Sequence, residues 1–207
     1  WRRLGALANG IDTARALTAY EAAFRLQPGD FWTCIELARL RQQAGNLALA
    51  HAAALAGEKA ARTERDGSVA AFEVANIAVA QGSLVEAEQQ FRRGMRYLEG
   101  RAANDPSDTD AQRDLSVSHN MIGDVQVAQG DLAAALQSFR ASHAIFERLA
   151  AADPGNAGWQ RDLSVSHDRI GNVQVAEGDL DAALMSFRAS LVIRERLAAA
   201  DAGNAGW

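Results

Sequence analysis

The chain has 207 residues, 48% of them apolar and 23% charged, a composition that suits a folded chain and excludes disorder. Its 21 basic and 26 acidic residues are interspersed and sum to −5, so no block of Lys or Arg offers nucleic acid a binding surface. No apolar run approaches the roughly 18 residues that span a bilayer, so no membrane partner is expected; the single cysteine, Cys34, excludes an internal disulfide framework and agrees with a cytoplasmic setting.

Only 3 Pro and 2 Tyr occur, while Ala, Leu, Arg, Glu and Gln dominate, which favours helix throughout and predicts an all-α fold. In chain order, Ala16, Tyr20, Ala23 and Pro28 read as the second half of a first unit spanning about 1–29. A second unit, about 30–62, carries Gly45-Asn46-Leu47, matched 37 residues later by Gly82-Ser83-Leu84. A third, about 63–110, is a diverged copy of the fourth: a 48-residue step carries Ser68 to Ser116, Gly82 to Gly130, Phe91 to Phe139 and Asp105-Pro106 to Asp153-Pro154.

The fourth and fifth units, about 111–158 and 159–206, are nearly the same sequence, because residues 112–159 and 160–207 agree at 38 of 48 positions. A fixed period of this size is the signature of a solenoid whose units bury their apolar faces only against neighbours. Within a unit, apolar residues recur at three and four, as in Leu115, Ile122 and then Leu132, Leu136, Phe139, with Gly130-Asp131 between them. That pattern is helix, tight turn, helix. Leu180, Leu184, Phe187 and Leu191 form a stripe that needs a neighbouring helix to cover it. Asn156, after Asp153-Pro154-Gly155, is placed to cap a helix containing Trp159 and Leu163. Helices of the last three units come out at about 20 residues, roughly 30 Å.

The residues in question are His167-x2-Ile170-Gly171-x2-Gln174 followed by Gly178-x-Leu180-x2-Ala183-x3-Phe187-x2-Ser190, and Cys34-x2-Leu37-Ala38-x2-Arg41 followed by Gly45-x-Leu47-x2-Ala50-x3-Ala54-x2-Gly57. They resemble the tetratricopeptide repeat, W-x2-L-G-x2-Y then A-x3-F and a later Pro. The resemblance implies an α-α superhelix of about five helix-turn-helix units, in which Gly171, Ala183 and Ser190 let helices approach closely. Two features depart from the family: His119 and His167 stand at the usual aromatic position, and the 48-residue period exceeds 34. Long-period units of this kind are similar to those of kinesin light chains and of large bacterial multidomain proteins, where they accompany signalling domains.

The family lines its concave surface with the first helices of successive units, and peptides lie across them. The resemblance therefore points to Phe72, Asn76 and Val79 in the third unit, Val117, Asn120, Asp124 and Val127 in the fourth, and Val165, Asp168, Asn172 and Val175 in the fifth. In the last two units these sit at i, i+3, i+7, i+10, one side of a helix. Asn can bond both groups of a peptide backbone, and Asp124 and Asp168 would attract Lys or Arg, so a basic or polar peptide or protein segment is the implied ligand. The same residues read equally well as solvated or inter-helix polar groups of a scaffold.

Catalytic and metal readings do not hold at this level. Ser116-x2-His119 and Ser164-x2-His167 lie mid-helix on the packed stripe, without the strained turn and oxyanion hole that a catalytic serine uses. His51, His119, His143 and His167 lack the spacing of a zinc site, and Gly155-Asn156-Ala157-Gly158 lacks the Lys-Ser/Thr ending of a phosphate loop. No cofactor and no enzymatic activity are expected. Trp207 repeats the position of Trp159, so the array reads as a fragment of a longer chain whose uncapped end invites self-association. The expectation is a protein-binding module; a regulatory arm of a signalling protein and a self-assembling scaffold are the alternatives.

Overall fold

The computed structural model describes residues 12–200, which form nine α-helices and no strand. They are α1 (Thr13–Leu26), α2 (Phe31–Gln43), α3 (Leu47–Ala60), α4 (Glu64–Ala80), α5 (Leu84–Asn104), α6 (Thr109–Gln129), α7 (Leu132–Ala152), α8 (Ala157–Glu177) and α9 (Leu180–Ala200). Trp1 and Trp207 lie outside the described residues. Two compact units divide at Tyr97 and Leu98, within α5.

Local chemistry sets the helix ends. Asp30, Asp108, Asp131 and Asn156 each stand just before a helix and accept from the amide three residues on, at 2.9, 2.9, 3.0 and 3.1 Å. Thr63 and Asp66 close a reciprocal capping box at the start of α4. The tight turns place Gly45, Gly82, Gly130 and Gly178 at φ of 76°, 77°, 82° and 84°, a left-handed conformation that only glycine adopts at little cost.

In the first unit, Ala16 and Tyr20 of α1, Leu37, Ala38 and Leu40 of α2, Ala50, Ala53 and Ala54 of α3, and Val74 and Ile77 of α4 share one core. Alanine dominates where helices cross, and Ile35, Leu37 and Leu40 fill the space between. Cys34 is part of this interior, its thiol donating to the Pro28 carbonyl at 3.4 Å.

In the second unit, the helices of each pair meet at a glycine. A Cβ on Gly123 would stand 2.6 Å from the Phe139 ring, and one on Gly171 would stand 2.7 Å from the Phe187 ring. The tetratricopeptide small residue is therefore a socket for the aromatic of the paired helix. Between pairs, Ile170 and Val173 of α8 join Ala135 and Phe139 of α7, with Leu132 and Leu136 alongside. Trp159 and Leu163 pack against Ile145, Phe146 and Leu149.

Candidate peptide-binding face

In the second unit the first helices α6 and α8 lie beside each other. Arg113 pairs with Asp162 at 3.4 Å, and Asp124 pairs with Arg169, so the two helices are tied across the face near their starts and again further along. On that face Val127, Val165 and Val175 remain 41, 37 and 46% exposed, and Asn172 is exposed beside them. Val117 is half-buried.

The polar members differ from expectation in what they touch. Asp124 and Asp168 do not stand free for a basic ligand, because Arg169 and Arg194 already hold them. The Asn120 Oδ1 atom is buried and makes no hydrogen bond, whereas Asn172 is the exposed amide of the pair. Charge on this face is paired within the chain, and Val127, Val165, Val175 and the Asn172 amide are exposed beside the ion pairs.

Arg169 is the residue that reading the sequence passed over. Its guanidinium lies 5.4 Å from the centroid of the Phe139 ring while pairing with Asp124. It thus links α8 to both helices of the preceding pair. One signal was available: Met121 occupies the equivalent position one period earlier, a change of type inside a nearly identical copy.

In the first unit, Val79 is 42% exposed. Asn76 is half-buried, and its backbone carbonyl accepts from the Gln42 amide at 3.4 Å. Phe72 is turned into its own helix pair, 6.0 Å from the Phe91 ring and against Gly94, so it packs the α4–α5 contact. Neighbouring first helices are again tied by an ion pair, Arg39 of α2 to Glu73 of α4 at 2.9 Å, with Glu36 on the same guanidinium. Burial pushes the Glu73 carboxyl above its usual range despite Arg39, and Arg39 is raised by its two carboxylates against the opposing effect of burial.

The serine and histidine residues are occupied with packing. Ser116 Oγ lies 2.7 Å from Ser142 Oγ, both fully buried, and Ser164 Oγ donates to the Arg161 carbonyl at 2.8 Å. His143 and His167 stack at 4.4 Å between centroids, tilted by 60°. The Ser166 hydroxyl donates to the Leu163 carbonyl at 2.7 Å, so the His143 Nδ1–H donates to that hydroxyl at 2.9 Å. Among the described residues no three His, Cys, Asp or Glu side chains converge on a metal position, and no helix is long and apolar enough to cross a membrane.

No family model matches the chain, and no curated protein matches it in sequence. Solved structures do. The crystal structure of MamA is 16% identical with a TM-score of 0.66, covering 94% of this chain and 96% of its own. The apo form of RapI is 15% identical with a TM-score of 0.72, covering 93% and 68%. A Podosopora anserina putative kinesin light chain with nearly identical TPR-like repeats is 16% identical with a TM-score of 0.69, covering 94% and 95%. The chain has the all-α fold of tetratricopeptide-type helical repeats.

Proposed function

We propose that the chain is a protein-interaction module that binds a peptide or protein segment of cytoplasmic partners across α6 and α8 and performs no chemistry of its own. The observation that carries the reading is the row of exposed Val127, Val165 and Val175 beside Asn172, on two helices fixed to each other by ion pairs. Exposed aliphatic groups at repeated positions of a rigid surface are anchors for a ligand's side chains, and an exposed amide serves its backbone. Because Asp124 and Asp168 are neutralised within the chain, the ligand that fits is polar with apolar anchors rather than basic.

The test is affinity capture from a cell extract with wild type and with the Val127→Asp/Val175→Asp variant, both checked for unchanged melting. These side chains are exposed, so the double substitution is expected to leave the fold intact and to remove captured proteins. Identical captured sets from the two forms would sink the proposal.

A further inference from the structure

At one position of the repeat, tryptophan stands where the later units have valine: steps of 37 and then 48 residues carry Trp32 to Val69, Val117 and Val165. The helix that bears it is also short. Helices α2 and α4 both end two residues before a left-handed glycine, Gly45 and Gly82, yet α2 has 13 residues and α4 has 17. The first turn of α4 therefore extends past the start of α2 and meets the α1–α2 turn instead of a matching turn of helix. A cavity of about 510 Å³ opens there, of the size that takes a small ligand.

Aromatic and acidic side chains line it: Asp30, Phe31 and Trp32 at the start of α2, Ala60 at the end of α3, and Arg62 and Asp66 at the start of α4. Phe31 is buried among Ile35, Ala60 and Ala70, and its ring meets the Trp32 ring at 5.0 Å and 77°. That contact braces an indole that is itself 42% exposed. The Asp30 Oδ2 atom accepts from the Thr33 amide and hydroxyl, and Asp66 Oδ2 accepts from the Arg62 and Thr63 amides. Backbone amides thus hold both carboxylates in place without neutralising them. Among the described residues Asp66 forms no ion pair, and the Arg62 guanidinium, four positions away, does not reach it. Two carboxylates against one guanidinium give the lining a net negative charge beside an open aromatic face.

We infer that this cavity binds an organic ammonium, a positively charged nitrogen on an apolar stem, supplied by a free amine or by the end of a lysine side chain. The nitrogen is attracted by the indole face and by Asp66, and the stem packs on Trp32 and Ala60. An anion would meet two carboxylates, and a neutral apolar group would gain nothing from them. The first unit alone builds this site, which does not depend on the α6–α8 face binding a peptide.

The full chain, isotope-labelled for NMR, is titrated with n-butylammonium chloride at constant ionic strength while the Trp32 indole and Gly29 amide resonances are followed. Both should move together and saturate with a midpoint below about 10 mM. Asp66→Asn, which keeps an oxygen for the Thr63 amide, should raise the midpoint about threefold. Trp32→Leu, read at Gly29, should raise it about fivefold, and Arg62→Gln should lower it by removing a competing cation. n-Butanol, of the same shape without the charge, should not saturate the site in this range, and butyrate should not bind. Tighter binding of a lysine-containing tripeptide than of n-butylammonium would assign the ammonium to a polypeptide, and the reverse to a free amine. The inference is overturned if n-butylammonium does not saturate, if n-butanol matches its midpoint, or if Asp66→Asn and Trp32→Leu chains with intact melting keep the wild-type midpoint. Butyrate binding that is lost in Arg62→Gln would make the site one for an anion and overturn it as well.

Discussion

Gly123→Ala and Gly171→Ala are the same substitution one period apart, and the structure requires them to differ. Alanine in place of glycine within a helix ordinarily gains about 1 kcal/mol. Against that, the new Cβ would lie 2.6 Å from the Phe139 ring at the first site and 2.7 Å from the Phe187 ring at the second, closer than atoms tolerate. Overpacking of this kind costs about 1–3 kcal/mol where the neighbour cannot move. Phe139 cannot: it is 3% exposed, enclosed by Ile170, Val173 and the Arg169 guanidinium. Phe187 is only half-buried, and α9 is open on that side, so its ring can swing away.

The expected result is a net loss of up to about 2 kcal/mol for Gly123→Ala, and for Gly171→Ala a change between zero and a gain of about 1 kcal/mol. In a chain of this size each kcal/mol moves the melting midpoint by about 2–4 °C. Repeat arrays depart from two-state unfolding, so the variants are compared by calorimetry at one scan rate rather than through an extrapolated free energy. Gly67→Ala, where a Cβ meets nothing within 4 Å, is the control and should melt at or above wild type. Placing Gly123→Ala in a Phe139→Leu background should reduce its cost. Gly123→Ala melting at or above wild type, or Gly171→Ala falling as far, would refute the reasoning.

Other perturbations test single contacts. Ser116→Ala should cost about 1 kcal/mol, because it strips a buried partner from the Ser142 hydroxyl, whereas Ser190→Ala should be neutral or stabilising, since the Ser190 hydroxyl is buried without a hydrogen bond; urea denaturation ranks the two. Burial holds His143 below the usual histidine range of 6.5 with Glu147 opposing it, and burial and then the His143 charge do so for His167, with Glu147 and Asp168 opposing. The unfolded chain then binds protons first, so stability is complete above about pH 6.5 and falls as pH drops below it. His143→Leu should flatten that fall in melting scans from about pH 7.5 to about pH 5.5. Asp124→Asn should change stability by under about 1 kcal/mol, as exposed pairs do. Arg169→Ala should cost about 1 kcal/mol more than Asp124→Asn by also removing the contact with the Phe139 ring; thermal scans compare the two.

Helix identity, the turns and the caps could be read directly from the residues. Gly130 and Gly178 mark left-handed turns, and Asn156 caps α8 onto the Trp159 amide, through interactions that span three or four positions. The period of 48 likewise carries its own meaning, since a sequence that repeats must fold into units that repeat.

What no local pattern contains is which partner arrives from elsewhere in the chain. Asp124 reads as a ligand-facing carboxylate until Arg169, 45 residues on, is brought to it; Asn120 reads as a solvent-facing amide until its oxygen is found buried; and Phe72 reads as groove-lining until Gly94 opens a socket for it. Leu136 and Leu184 make the same point most plainly. They occupy identical positions in nearly identical helices, yet one packs beneath α8 and the other is 48% exposed. Periodicity assigned both to the apolar stripe, and only packing decided which was covered, because burial is a property of the neighbouring helix rather than of the residue buried.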